Sequence, residues 1–272
     1  MNTPKWLESL LNDEIHERIN NDPRTSPHTF LGYPRNRIFN DIIGGGQADF
    51  DNPVHNLTGD DRALLYAKYN QRGHLDELCH AFSLLFDEPL KCNRFTVIDV
   101  GCGPFTAGLS LAAVVGSQQA FRYFGVDSAQ SMLRLGKKLA DSALHAGAFD
   151  MFTSYEFYME LKDLNFGKIS GELTVVIASY LLASPTLKIP VFVKDLLVAL
   201  SKLGPGPVAF LYTNSASNAF IHRYEELKSE LVRAGFFVKT EETEKFTETR
   251  NARAIHYALF YKDADLTYTQ RS

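Results

Sequence analysis

The stretch VIDVGCGPFTAG at residues 97–108 decides the fold. It opens as an apolar run, reaches an acid, and then passes through glycines into residues that favour a helix. A strand, a glycine-rich turn and a helix in this order form the first part of a βαβ unit. In a sheet built from such units, the loop after a strand lies where ligands bind.

Short apolar runs and helical patterns alternate beyond this stretch. After Gly235, two further extended stretches joined around Asn251 predict an antiparallel hairpin. The whole pattern predicts an α/β fold, namely a Rossmann-like, doubly wound, mostly parallel seven-stranded sheet with a C-terminal antiparallel hairpin. Besides the two strands of the hairpin, strands are predicted near 95–100, 121–127, 155–159, 173–179 and 207–213. Helices are predicted near 106–116, 128–146, 190–202 and 216–234.

The N-terminal part has a different character and predicts a helical extension, residues 1–58, before a main domain at 59–272. A helix is expected over 4–20, with Thr3 as its cap and Pro4 at its first position. Loop residues follow, and the triplet at 44–46 is predicted to be a linker rather than a phosphate-binding loop. A helix over about 60–87 should start after Thr58, with Gly73 as a place where it bends or breaks.

The composition excludes disordered and collagen-like proteins. With 272 residues, 45% hydrophobic and 22% charged, the chain matches ordinary globular proteins. Its net charge of −4 does not favour a polyanionic partner. No apolar run approaches the length of a membrane span, and the N-terminus lacks a signal-peptide pattern. Cys79, Cys92 and Cys102 lack paired metal-ligand spacing, so we expect a reduced, cytoplasmic protein without a structural metal.

The glycine loop does not fit a dinucleotide. The pattern G-x-G-x-x-G requires a glycine at position 106, where this chain has Thr106, and Gly108 comes too late. A pyrophosphate would be repelled by Asp99, whereas a cationic amine would be attracted. At the end of the next strand, Asp127 can bind both hydroxyls of a ribose. A ligand with an amine and a ribose describes S-adenosylmethionine.

Three motifs carry a resemblance to the class I S-adenosylmethionine-dependent methyltransferases: DVGCG at 99–103, GVDSAQSML at 125–133 and VVIASYLLAS at 175–184. The resemblance covers roughly residues 60–263. It implies a set of cofactor-binding residues along the methionine, ribose and adenine parts, and Ser179 and Tyr180 beneath the sulfur, facing the acceptor. The cofactor-binding residues so implied are Asp99, Gly101, Cys102, Gly103, Asp127, Ser128, Met132, Met159, Glu160 and Ser179.

The resemblance also suggests further residues. Tyr69 and Arg72 lie on a helix that often closes over the cofactor, where an arginine can pair with the methionine carboxylate. Tyr180 is a candidate catalytic residue, and so is His222. Topology places His222, His74 and His80 closest to the expected cleft, although each of these histidines also fits a surface or core position. Cys102 fits a small packed residue better than a reactive thiol.

Two departures from the family pattern bear on the substrate. Phe105 stands where a third small residue is common, and the segment after the fourth strand lacks the N-P-P-Y type motif of amino-directed nucleic-acid methyltransferases. We therefore expect a small molecule or a protein side chain as acceptor, with the N-terminal arm forming part of a lid or acceptor pocket. The alternatives are an RNA (rRNA) methyltransferase and a noncatalytic S-adenosylmethionine-binding regulatory protein.

Overall fold

The structure, a computed structural model, describes residues 3–85, 94–167, 173–216, 218–246 and 253–264. Cys92 and the predicted turn around Asn251 lie outside these ranges. Within them, the helices are α1 (Lys5–Leu11), α2 (Arg18–Asn20), α3 (Gly59–Tyr66), α4 (Arg72–Leu85), α5 (Thr106–Val115), α6 (Gln130–His145), α7 (Ile189–Ser201) and α8 (Asn218–Arg233). The strands are β1 (Thr29–Phe30), β2 (Tyr33–Pro34), β3 (Arg94–Val100), β4 (Ala120–Val126), β5 (Ser154–Tyr158), β6 (Thr174–Ser179), β7 (Val208–Ser215), β8 (Phe237–Phe246) and β9 (Arg253–Lys262).

The main sheet has seven strands in the order β5-β4-β3-β6-β7-β9-β8. Strands β3 to β7 run parallel, whereas β9 pairs antiparallel with both β7 and β8. This is the predicted Rossmann-like sheet with its C-terminal hairpin. The strands form because their apolar runs are buried on both faces, as in Arg94–Val100, where six of the seven residues are buried.

Two apolar cores cover the two faces of the sheet, as a doubly wound fold requires. On one face, residues of α4, α5 and α6 pack against Val97 and Phe121, and the stripe of α1 and the following helical turns joins the same core through Leu7 and Ile15. On the other face, α7 and α8 pack against residues such as Val176. The N-terminal helix thus buries its apolar stripe against the face that carries α6.

The N-terminal segment differs in detail from the sequence-based expectation. The N-cap position of the first helix is occupied by Pro4, without a side-chain cap, and the hydroxyl of Thr3 accepts a hydrogen bond from Arg72 at 2.8 Å. A capping box between Thr58 and Asp61 starts α3 as predicted. The helix continues through Gly73, and its irregularity is a π-helical turn at Ala67–Gln71.

The glycine triplet is a packed turn, which the linker prediction did not anticipate. Gly44, Gly45 and Gly46 all have positive φ, at 52°, 63° and 99°. A Cβ at Gly46 would lie 3.3 Å from the Tyr66 ring and 3.4 Å from the Asn70 amide nitrogen. Glycine therefore allows the turn to approach the end of α3 and the helical turn that follows it.

Candidate functional site

The site lies where the strand order reverses, between β3 and β6. From β3 the chain continues to β4 and β5 on one side, and from β6 it continues to β7 on the other. In doubly wound sheets, ligands bind at the carboxyl edge at such a point of reversal. The loops after β3 and β6 meet at Gly101, where a Cβ would come within 3.1 Å of Leu181 Cδ1.

The loop after β3 has a backbone that needs glycine. Gly101 and Gly103 have φ values of 72° and 50°. The amides of Gly101 and Cys102 donate to the Val126 carbonyl at 2.8 and 3.1 Å, which fixes the loop against the end of β4. Gly101 is exposed and Gly103 is partly exposed, so a ligand can approach the backbone at both positions.

Phe105 explains the unusual position of the next glycine. It caps α5 in a left-handed conformation, and its fully buried ring packs edge-to-face on Tyr123 at a centroid distance of 4.7 Å. The same ring lies over Gly108, where a Cβ would be 2.0 Å from Phe105 Cε2. Gly108 therefore makes room for an aromatic ring of the core, and the ring of Phe105 is turned into the protein.

Asp127 closes the glycine loop from the neighbouring strand. Its Oδ2 accepts a hydrogen bond from the Gly103 amide and its Oδ1 accepts one from the Ala129 amide, both at 2.9 Å. Burial raises the pKa of this carboxyl, the two amides oppose that effect, and the charge of Asp51 adds to the increase. Part of the side chain remains exposed.

Asp99 lies inside the protein at the end of β3. It is only 2% exposed, and the phenol of Tyr123 donates a 2.5 Å hydrogen bond to its Oδ2. Burial raises the pKa of Asp99 to about 7, and the charge of Asp127 contributes to this increase, while the bond from Tyr123 opposes it. A carboxylate buried in this way is stabilised when a cation binds beside it.

Tyr66, the last residue of α3, lies over the glycine loop. Burial raises the pKa of the Tyr66 phenol, and the charges of Asp127, Glu77 and Asp99 raise it further. The Tyr66 ring is 3.9 Å from the position of a Cβ at Gly103. The negative charges of Asp99 and Asp127 beside the loop favour a ligand with a positive group.

The loop after β6 forms the opposite wall. Tyr180 has a φ of 55°, which is unusual for a tyrosine, and its amide donates to the Thr213 carbonyl at 2.8 Å. Its ring stacks on the imidazole of His74, with a centroid distance of 4.2 Å and an interplanar angle of 19°. Beside it, Ser179 Oγ accepts a hydrogen bond from Thr213 at 2.9 Å.

The remaining residues from the motifs occupy varied positions. Ser128 is exposed at the start of the turn into α6. Met159 follows β5 and is 43% exposed, and the adjacent Glu160 is exposed and forms an ion pair with Lys162 at 2.5 Å. Met132, in contrast, is 3% exposed and belongs to the core beneath α6.

Cys102 has the properties of a packed residue. It is buried, and its sulfur lies 3.0 Å from the position that a Cβ would take at Gly125. Burial raises the pKa of its thiol, so the reactive thiolate form is disfavoured. Cys102 therefore contributes to the shape of the loop through its size and its backbone.

The structure does not bring Tyr69, Arg72 or His222 to this loop. Tyr69 donates to the Arg35 carbonyl at 2.9 Å, and Arg72 binds Glu8 at 2.5 Å, so both side chains contact the N-terminal arm. The helical face over the glycine loop instead carries Gln71, which donates to the Pro104 carbonyl at 3.1 Å. His222 is exposed on α8.

Sequence reasoning missed several residues of the site. Tyr123 had a detectable signal, because it stands two positions before Gly125 on β4 and so faces the same side of the sheet as Asp99, the partner of Gly125 in the strand register. Tyr66 and Asp51 reach the site from distant positions, and no local pattern marks them. In the part of the chain that the structure describes, no cluster of three or more His, Cys, Asp or Glu residues could hold a metal ion. None of the helices described there combines the length and the apolar character of a membrane span.

No family model matches this chain, and no curated protein matches it. Among solved structures, it is similar to magnesium protoporphyrin IX methyltransferase from Synechocystis PCC 6803, solved with bound S-adenosylmethionine, at 16% identity and a TM-score of 0.45 over 82% of this chain and 94% of that one. A putative RNA methyltransferase from Pyrococcus horikoshii is 15% identical, with a TM-score of 0.41 over 84% of this chain and 96% of that one. The [4+2]-cyclase SpnF is 12% identical, with a TM-score of 0.46 over 69% of this chain and 82% of that one. These neighbours differ in substrate and in reaction, and they say nothing about either for this chain.

Proposed function

We propose that this protein is an S-adenosylmethionine-dependent methyltransferase whose acceptor is a small molecule or a protein side chain. The observation that carries the proposal is the position of Asp99, a carboxyl group buried beside an exposed glycine loop, with Asp127 hydrogen-bonded to the same loop. Within the described residues, no lysine or arginine is among the groups that shift the pKa of either acid. A ligand with a cationic amine and a ribose complements this pair.

The residues at the carboxyl edge have separate roles in this proposal. Asp99 attracts the amino group, Gly101 and Gly103 let the ligand approach the backbone, and Asp127 binds the ribose hydroxyls. The exposed Met159 offers an apolar surface for the base. When bound, S-adenosylmethionine supplies a methyl group on a positively charged sulfur.

The acceptor side is formed by Tyr180 and its neighbours. Displacement at an activated methyl group requires mainly that the acceptor be held in line, so positioning is the main task of the protein. Tyr180 is suited to this task because its backbone is fixed by Thr213 and its ring by the stacking on His74. The net charge of −4 supports a small-molecule or protein acceptor over RNA.

Calorimetry tests whether the protein binds S-adenosylmethionine at the proposed site. We expect S-adenosylmethionine to bind the wild-type protein and binding to be lost in Asp127→Ala. Asp60→Ala is the matched control, since it removes the same charge from an exposed side chain whose partner is Arg134. Equal affinity in Asp127→Ala and wild type would contradict the proposed site.

Transfer is tested with cofactor that carries a labelled methyl group. Label should enter the metabolite or protein fraction of a cell extract, and this should depend on Asp99 and Asp127. Label in RNA would identify the alternative acceptor. Binding without transfer to any fraction would identify a noncatalytic binding protein.

A further inference from the structure

The first turn of α6 is completed by a residue of the N-terminal arm. The helix starts after Ala129, which provides no side-chain cap, so its first amides need other partners. Asp51 supplies them, because its Oδ2 accepts from the Gln130 amide at 2.7 Å and its Oδ1 accepts from the Ser131 amide at 2.8 Å. The Ser131 hydroxyl adds a bond to the Phe50 carbonyl at 3.2 Å.

These bonds continue into the proposed nucleoside site. The residue before Gln130 is Ala129, whose amide donates to Asp127, and the other oxygen of Asp127 accepts from Gly103. Asp51, the start of α6, Asp127 and the glycine loop therefore form one hydrogen-bonded series. A displacement of Asp51 would move the turn that orients Asp127.

Asp51 is itself held firmly. Its own amide donates to Asp49 Oδ1 at 3.2 Å. The buried guanidinium of Arg62 donates to the Asn52 carbonyl at 2.5 Å and also to the Asp49 carbonyl. The backbone is thus bound to the protein on both sides of Asp51.

The charge of Asp51 has a second effect. The N-terminus of a helix attracts anions, and in many α/β proteins such a helix end binds a phosphate. Here a carboxylate of the protein accepts the two amides, and a phosphate at the same end of α6 would meet both Asp51 and Asp127. A ribose without phosphate has no such repulsion.

We infer that Asp51 is a positioning and specificity-determining residue of the nucleoside site. It holds the turn at 127–131 so that Asp127 meets the ribose, and it excludes nucleosides that carry a phosphate on the 2′ oxygen. The inference rests on the proposed function, because it assumes that Asp127 binds a ribose.

Two substitutions separate the two effects. Asp51→Asn keeps one of the two acceptor oxygens and loses the charge, whereas Asp51→Ala loses both acceptors and the charge. Calorimetry would measure binding of S-adenosylhomocysteine, and ligand-observed NMR would measure binding of adenosine 2′-monophosphate. Asp60→Asn is the matched control, since it removes the same charge and the hydrogen bonds of Asp60 to α6 are made with the Arg134 side chain.

We expect Asp51→Ala to weaken S-adenosylhomocysteine binding by about fivefold or more. Asp51→Asn should weaken S-adenosylhomocysteine binding less than Asp51→Ala does but gain binding of adenosine 2′-monophosphate, and Asp60→Asn should change neither. If Asp51→Ala does not fold, the behaviour of Asp51→Asn towards the phosphorylated nucleoside decides. Continued exclusion of that nucleoside by Asp51→Asn, or unchanged S-adenosylhomocysteine affinity in folded Asp51→Ala, would overturn the inference. A wild-type protein that does not bind S-adenosylhomocysteine would instead contradict the proposed function.

Discussion

The Tyr123 phenol donates a 2.5 Å hydrogen bond to the carboxyl group of Asp99, and both side chains are buried on the same face of the sheet. This single bond does not compensate for the loss of water around the carboxylate, because the pKa of Asp99 is raised to about 7. The protein therefore keeps an acid at a position where its charge is unfavourable for folding. Such a position is typical of functional sites.

Asp99→Asn should stabilise the protein above neutral pH. Since burial raises the pKa of Asp99 to about 7, the folded state binds more protons than the unfolded state between about pH 4 and 7. The contribution of Asp99 to the free energy of unfolding therefore falls as pH rises through this range. Asparagine can accept the Tyr123 bond without a charge, so we expect a gain of about 1 to 4 kcal/mol at pH 8 and little change at pH 4. Urea unfolding at both pH values measures this, and a loss of stability at pH 8 would contradict it.

Binding of S-adenosylmethionine should depend on the protonation of Asp99. A cationic group beside Asp99 lowers its pKa, so binding releases a proton and the affinity should rise up to about pH 7 and then level off. In Tyr123→Phe the carboxylate loses a hydrogen bond that lowers its pKa, so the midpoint should move upwards by about one pH unit. Calorimetry in two buffers of different ionisation enthalpy detects the proton. The same midpoint in both proteins would exclude Asp99 as the titrating group.

Gly108→Ala should destabilise the fold, although alanine usually favours a helix. The added Cβ would lie 2.0 Å from a ring carbon of the buried Phe105, so we expect a loss of about 2 kcal/mol or more. Phe105→Leu should relieve the conflict, so the double variant should lose less than the sum of the two single losses. Urea unfolding of all four proteins measures the coupling. Additive losses would show that the ring does not require glycine at 108.

Arg62→Met should loosen the arm from the domain. Arg62 is 3% exposed, and its guanidinium donates to backbone carbonyls of Ile42, Asp49 and Asn52. Without it, these carbonyls lose their donor, and we expect about 2 to 4 kcal/mol of lost stability, together with faster proteolysis between residues 42 and 52. Arg134→Met, which removes an exposed arginine paired with Asp60, should cost less than about 1 kcal/mol. Similar losses of stability in Arg62→Met and Arg134→Met would contradict the expectation that the buried arginine contributes more.

The sequence predicts the fold and the centre of the site because both follow from short-range patterns. Apolar runs and helical periodicity locate the strands and helices, and the parallel arrangement brings Asp99, Gly101, Gly103 and Asp127 to one edge of the sheet. The helical face over the loop is not predictable in this way. The π-helical turn at Ala67–Gln71 rotates the residues that follow it, and an ideal helical period does not include that rotation.

Contacts between distant segments cannot be predicted from local sequence patterns, for a different reason. Asp51 caps a helix that starts 79 residues later, and only the folded chain brings them together. The side chain of Phe105 is likewise placed by Tyr123 and Gly108, so the glycine motif has a spacing that a dinucleotide pattern does not include.

The cap of α6 by Asp51 also affects how the protein fluctuates. Helix ends usually fray on their own, and their amides exchange with solvent at little cost in free energy. The Gln130 and Ser131 amides are bonded to the arm, so they become free only when the segment around Asp51 moves away. Hydrogen exchange at this helix end should therefore be slow and should occur in step with that of residues 49–52. The edge of the nucleoside site would then open only through a concerted motion of two segments that lie far apart in the chain.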